Sequence, residues 1–148
     1  MKTQDKIKYS IRLNNLTENQ RKSLSLLLHT RIEDINNQNN NKETNNIATK
    51  IKNIDNPEKH LEELGIIYRK SESFLEPKTP VKEALFRLFI YNNNKPLTVK
   101  QISKQLSELW EMSQFPRDIS EEKLTNLLKN TSDYYIQPYG RKFYIKNY

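Results

Sequence analysis

Residues 79–106 read TPVKEALFRLFIYNNNKPLTVKQISKQL, and the fold class turns on them. Thr79 is placed to cap a helix with Pro80 at its first position. Val81, Ala84, Leu85, Leu88 and Phe89 recur at helical spacing, and Phe86 and Ile90 widen the stripe. A stripe this wide predicts a helix at the centre of a core. Asn92, Asn93, Asn94, Lys95 and Pro96 break it. Thr98 and Gln101 form a capping box. Ile102, Leu106, Leu109 and Trp110 then give the buried face of a second helix. Downstream, Glu111–Asp118 reads as a loop containing Pro116. Ser120 caps a third helix, with Ile119 and Leu124 at the two positions of a hydrophobic staple and Leu124, Leu127 and Leu128 facing inward. Tyr134–Gln137 and Lys142–Lys146 read as strands around a turn at Pro138, Tyr139, Gly140 and Arg141. Phe143 and Ile145 point in, and Lys142, Tyr144 and Lys146 point out.

Upstream the pattern is less regular. Ile7, Tyr9, Ile11 and Leu13 alternate with Lys6, Lys8, Ser10 and Arg12, the period of a half-buried strand. Its lysines suit a sheet edge. Thr17 and Gln20 form a capping box for a helix bearing Leu24, Leu27, Leu28, Ile32 and Ile35. Asn36–Asn46 is asparagine-rich and predicts a loop, because Asn competes with its own backbone in helices. Ile47–Ile54 suggests a short helix. Asn56 and Pro57 open another that carries Leu61 and Leu64; Gly65 is placed to stop it, and Ile66–Lys70 can run as a strand. Ser71–Pro80 contains Ser71, Ser73, Pro77 and Pro80 and reads as the connection between two halves.

Composition narrows the function classes. The chain has 148 residues, 34% of them hydrophobic, and a net charge of +7. A basic balance of this size favours a polyanionic partner. With no cysteine, disulfides, thiolate nucleophiles and Cys-ligated metals are excluded. Only two glycines are present, Gly65 and Gly140, which excludes phosphate-binding and dinucleotide-binding glycine loops and the nucleophile elbow of hydrolases. No apolar run approaches the roughly 20 residues that span a bilayer, and Met1–Ser10 lacks the apolar core of a signal peptide. These features suggest a cytoplasmic protein without a membrane partner.

Three helices followed by a β-hairpin is the order of a winged helix. The run Pro96-Leu-Thr-Val-Lys-Gln-Ile-Ser103 is similar to the start of helix two in winged-helix domains of the HARE-HTH type, which resemble the N-terminal domain of the bacterial RNA polymerase delta subunit. Tyr134–Ile145, with aromatics on both sides of a glycine turn, looks like the wing of that family. The resemblance covers roughly residues 79–146. It implies transcription-linked binding of nucleic acid or protein, without catalysis. One departure is the eight-residue connection Glu111–Asp118, longer than the three or four residues of a compact helix-turn-helix.

The fold class expected is therefore α+β and mainly helical. A winged helix-turn-helix over 79–148 follows a linker at 71–78 and a small α/β part over 1–70. The candidate nucleic-acid contacts are Lys100 and Lys104 on helix two; Lys123, Asn126 and Lys129 on helix three; and Tyr139, Arg141, Lys142, Tyr144 and Lys146 on the wing. Lysine and arginine release counterions from phosphates, asparagine can pair with adenine, and tyrosine can stack on a base or sugar. Glu121 and Glu122, at the start of helix three, would repel phosphate and suit the helix dipole instead. The expected partner is double-stranded DNA. The first alternative is a module docking on a protein such as RNA polymerase. The second is an antitoxin-like ribbon–helix–helix homodimer pairing through the N-terminal strand. His29 with Glu33 and His60 with Glu63 show no metal-ligand spacing, and no nucleophile–base pair is visible. No catalytic residue, metal or cofactor is expected.

Overall fold

The structure is a computed structural model and describes residues 6–39, 56–71, 74–111 and 119–140. It is α+β and mostly helical. Among these residues run β1 (Lys8–Ile11), α1 (Glu18–Asn39), α2 (Pro57–Lys70), α3 (Val81–Tyr91), β2 (Leu97–Thr98), α4 (Val99–Leu109), α5 (Glu121–Leu127) and β3 (Ile136–Tyr139). Two 3-10 turns, Leu128–Asn130 and Ser132–Tyr134, join α5 to β3.

Local signals set most helix starts. Thr17 N donates to Gln20 Oε1 (2.8 Å) and Gln20 N to Thr17 Oγ1 (3.1 Å), the reciprocal bonds of a capping box. Thr98 and Gln101 repeat it on α4. Asn56 Oδ1 accepts from Lys59 N ahead of Pro57, and Ser120 Oγ accepts from Lys123 N. Ile119 and Leu124 are both buried, as a staple pair requires. At α3 Pro80, expected at the first helical position, holds the N-cap position, and Thr79 N bonds Glu76 O at 3.0 Å.

Helix α3 is the centre of the core. Ala84, Leu85, Phe86, Leu88, Phe89 and Ile90 are each 0% exposed. Around them pack Leu24, Leu28 and Ile32 of α1, Leu61, Leu64 and Tyr68 of α2, Ile102 and Leu106 of α4, and Ile11 and Ile136 of the sheet. Phe74 and Leu75, within the segment that joins α2 to α3, are buried in the same cluster. Trp110 Nε1 donates to Leu75 O at 3.3 Å.

Several local expectations are overturned by tertiary packing. Ile66–Lys70 is helical, not a strand. The buried positions Leu61, Leu64, Gly65 and Tyr68 keep one face of α2 against its neighbours past the glycine. Gly65 is a site of close approach: a Cβ there would stand 2.9 Å from Ile90 O on α3 and 3.0 Å from Arg69 Nη1. Asn36–Asn39 are likewise helical, as the last turn of α1, while 40–46 and the helix expected over 47–54 lie outside the described residues.

The sheet order is β2-β1-β3, all antiparallel. Strand β1 is therefore central and not the edge its lysines suggested. Arg12 N donates to Tyr135 O at 2.7 Å, so the even-numbered residues of β1 turn their backbone groups toward β3. Pro138 faces Tyr9 at a non-hydrogen-bonded position, where its missing N–H costs nothing to that ladder. This is why β3 runs to Tyr139 through residues expected in the turn. The strand expected at 142–146 lies outside the described residues.

One buried polar cluster links α1 to α3. Glu83, 8% exposed, takes both Arg31 Nη2 (2.6 Å) and Arg31 Nε (3.1 Å), and also Arg87 Nε (2.8 Å). Burial alone would push the Glu83 carboxyl up. The hydrogen bonds from Arg31 and Arg87 outweigh it and hold the group below its ordinary value. The Arg31 guanidinium also lies 5.4 Å over the Phe86 ring.

Two stability predictions follow from this packing. Glu83→Gln leaves two half-buried guanidinium groups facing a neutral amide and should lower stability by about 2–3 kcal/mol in urea unfolding at pH 7. Because the folded-state value is depressed, the wild-type contribution is complete above pH 4.5 and fades as pH falls through the lower folded value. The variant should therefore lose less stability than wild type across that window. Gly65→Ala gains about 1 kcal/mol of helix propensity but forces α2 off the Ile90 carbonyl, at a cost of about 1–3 kcal/mol. A net loss of about 1 kcal/mol is expected, followed through the fluorescence of Trp110.

Candidate nucleic-acid interface

Helix α4 buries Val99, Ile102 and Leu106, so Lys100 and Lys104, one turn apart, are exposed on its outer side. Helix α5 packs beside α4, and Ser103 Oγ donates to Ile119 O at 2.8 Å across the junction. Leu124 and Leu128 face the core, leaving Lys123, Asn126 and Lys129 exposed. Glu121 and Glu122, in the first turn of α5, are exposed on the same short element. Tyr139 ends β3 and is 55% exposed. Arg141, Lys142, Tyr144 and Lys146 lie outside the described residues.

The structure thus places the described candidates on α4 and α5, which pack together, on the 3-10 turn after α5, and on β3, which β1 separates from the strand leading into α4. It also adds residues that composition alone does not single out. In the sheet register, Lys8 stands opposite both Thr98 and Tyr139. Residues directly opposite in adjacent strands put their side chains on one face. Lys8, Thr98 and Tyr139 therefore form a row across one end of the sheet, two residues before Lys100 begins the exposed side of α4. Ser10 and Gln137 form the next row on that face, and a small cleft of about 150 Å³ lies there, lined by Ser10, Arg12, Asn94, Gln137 and Tyr139 among others.

What holds β1 in this position is an asparagine side chain. β2 pairs with Lys8 and Tyr9 only. Further along, Ile11 N donates to Asn94 Oδ1 and Asn94 Nδ2 donates to Ile11 O, both at 2.8 Å. The carboxamide so continues the ladder that β2 is too short to supply. Asn93 and Asn94 have φ of 58° and 59°, a left-handed turn that returns their backbone N–H groups to Ile90 O and Phe89 O at the end of α3. The run Asn92–Asn94 is legible in sequence as a break; its role as a strand surrogate is not.

Two other regions carry chemistry-bearing side chains. A cleft of about 800 Å³ is lined by Arg31, Asp34, Tyr68, Lys70, Phe74 and Arg87 among others. Arg31 and Arg87 there are engaged by Glu83, and Arg87 Nη1 also bonds Phe74 O at 3.0 Å. Burial pushes the Tyr68 phenol up to about 12, so it stays protonated at neutral pH. Between α1 and α2, the His29 and His60 rings lie 5.7 Å apart, with Glu33 at 3.7 Å from His29 and Glu63 at 3.9 Å from His60. Both rings are almost fully buried. Among the described residues, no group of three or more His, Cys, Asp or Glu is arranged to hold a metal ion. Nor is any described helix long and apolar enough to cross a membrane.

Compared with protein-family models, curated proteins and solved structures, the chain matches none.

Asn94→Gly keeps the left-handed backbone and removes only the two carboxamide bonds. It should cost about 2 kcal/mol, at roughly 1 kcal/mol per bond. It should also raise amide exchange at Ile11 more than at Leu28 in α1, which hydrogen–deuterium exchange resolves.

Proposed function

We propose that this chain is a non-catalytic nucleic-acid-binding protein of winged-helix type, a cytoplasmic transcriptional regulator that grips DNA phosphates. The observation that carries the reading is the element order α3, β2, α4, α5, β3: a central helix, a short strand, two packed helices and a strand leading into a glycine turn. This is the order of three helices and a wing, with β1 added between β2 and β3. In support, Lys100, Lys104 and Lys123 are exposed on the two helices that such a fold turns toward DNA, and Lys129 is exposed on the 3-10 turn that follows them. Arg141 and Lys142, directly after Gly140 in the chain, add cations where a wing would lie. Phosphate contacts of this kind give an affinity that falls steeply with salt.

A second reading has its own support. Glu121 and Glu122 are exposed in the first turn of α5, the end that a recognition helix presents to DNA. They favour a protein partner, such as an RNA polymerase subunit, docking on this surface. The ribbon–helix–helix dimer is the least favoured. It needs β1 free to pair with a second copy, and β1 has β2 and Asn94 on one side and β3 on the other.

Fluorescence anisotropy with mixed-sequence duplex DNA, at about 50 and 200 mM salt, tests the reading. Binding should weaken by at least about a thousandfold between them if six or more phosphates are contacted. The double charge reversal Arg141→Glu/Lys142→Glu should weaken binding to all sequences alike. Absence of binding at the lower salt, by folded protein, would overturn the reading and leave the protein-docking alternative, to be pursued by pull-down.

A further inference from the structure

The chain's positive charge is unevenly placed. Residues 6–17, 84–107 and 134–148 hold ten Lys and Arg and no Asp or Glu. The rest of the chain holds fifteen Lys and Arg against eighteen Asp and Glu. The three acid-free stretches are distant in sequence, yet each contributes one strand: β1, β2 and β3. The sheet gathers them. Of the cations in these stretches, Arg87 is turned to Glu83 in the core, and Arg12 is bound to the carbonyls of Asn14 and Asn15. Lys6, Lys8 and Lys100 are exposed and form no ion pair among the described residues.

The register decides where they meet. Lys8 is the first residue of β1, Thr98 the last of β2 and Tyr139 the last of β3, and the antiparallel pairing sets all three at one end of the sheet. With strands about 4.8 Å apart, the row spans roughly 10 Å. Tyr9, Leu97 and Pro138 pair in the next row and face the other way; Tyr9 and Leu97 are buried in the core. The acidic residue nearest β3 in sequence, Asp133, precedes the opposite end of that strand and stands 3.4 Å from Lys82. The end bearing Lys8 thus combines free cations with an exposed aromatic ring.

We propose that this end of the sheet is a nucleic-acid contact surface in its own right, with the N-terminal strand as an integral part. Lys6 and Lys8 bind backbone phosphates beside Lys100, and the Tyr139 ring packs on an adjacent sugar or base. The occupant is a phosphodiester backbone, chosen by charge complementarity: three ammonium groups that form no ion pair among the described residues, and no carboxylate in the strands that carry the row. This rests on the nucleic-acid reading above and extends it to residues outside the three helices and wing. It gives β1 a binding role that does not require a second copy of the chain.

The test uses full-length protein, a mixed-sequence duplex and a single-stranded oligonucleotide of the same length. Lys6→Ala/Lys8→Ala should reduce the slope of log affinity against log salt by about 2 on duplex, so that the affinity ratio between about 50 and 200 mM salt shrinks about tenfold. Tyr139→Ala should weaken the single-stranded complex by about tenfold and the duplex less. Lys59→Ala/Lys70→Ala, on exposed positions of α2, is the control and should change the slope by less than half as much. Circular dichroism and Trp110 fluorescence check that each variant is folded. A steep wild-type salt dependence, sensitive to Arg141→Glu/Lys142→Glu but unchanged in Lys6→Ala/Lys8→Ala, would overturn the sheet-end surface and leave the winged-helix reading standing. A single-stranded affinity untouched by Tyr139→Ala would remove the stacking role. No wild-type binding to either probe would overturn both proposals together.

Discussion

A four-residue strand has to satisfy its backbone on two sides, and that constraint organises this molecule. Strand β1 meets β3 along its whole length on one side. On the other it meets a strand of two residues, and then the carboxamide of Asn94. Buried amide and carbonyl groups left without partners cost about 1–3 kcal/mol each. The end of α3 must therefore deliver Asn94 to one place, and the two left-handed residues Asn93 and Asn94 do so. The same turn ends the central helix, starts the approach to β2 and fixes the N-terminal strand. Arg69 adds to it by donating to both Tyr91 O and Asn93 Oδ1 from the end of α2.

The second pin is electrostatic. Glu83 sits where α1, α3 and the turn before β3 converge, with Arg31 and Arg87 as partners and Tyr134 close by, its phenol pushed up first by burial and then by this carboxylate. A buried charge cluster of this kind adds little net stability over an apolar one, since desolvation offsets most of the attraction. Its geometry is demanding, however. Arg31 must approach with both donors, and its plane must lie over Phe86. That fixes the rotation of α1 about α3 more sharply than leucine contacts alone would. The apolar packing supplies the energy and the polar cluster selects one arrangement.

How much of this was legible in the sequence depends on the range of the force involved. Capping boxes at Thr17 and Thr98, the caps at Asn56 and Ser120 and the Ile119–Leu124 staple are local, and they stand as the spacing indicated. The wide stripe of α3 gave its central position for the same reason: a helix apolar on most sides has to be surrounded. The failures are long-range. Gly65 looked like a helix stop because the sequence does not show Ile90 O pressing on it from α3. Pro138 looked like a turn because the hydrogen-bonding phase of β3 is set by Arg12 and Tyr135, over a hundred residues apart. The alternating lysines Lys6 and Lys8 suggested an edge because nothing near residue 8 reveals that residues 98 and 139 flank it. Of the candidate site, the exposed helix lysines were readable from periodicity, whereas Tyr139 was expected in a turn and instead ends β3. The row joining Lys8 to Tyr139 was not, since it exists only in the register.

The ion pairs bear on which cations can serve a partner. Arg21 pairs with Glu58, Lys22 with Glu18, Arg31 and Arg87 with Glu83, and Lys82 with Asp133. The acids in these pairs come from α1, α2, α3 and the turn before β3, segments where charges of both signs are interspersed. Cations there are largely spent on holding helices together or neutralised nearby. Lys8 has no carboxylate within its own strand, and Lys100 has none within a turn of it on α4, where the one acid, Glu108, lies four residues after Lys104. A solvated surface needs no such segregation; mixed charges keep a protein soluble equally well. A surface that must meet a polyanion does need it, because each interspersed carboxylate would cancel a phosphate contact and oppose the counterion release that drives binding. The placement of acids elsewhere in this chain is thus as informative as the placement of lysines on the sheet.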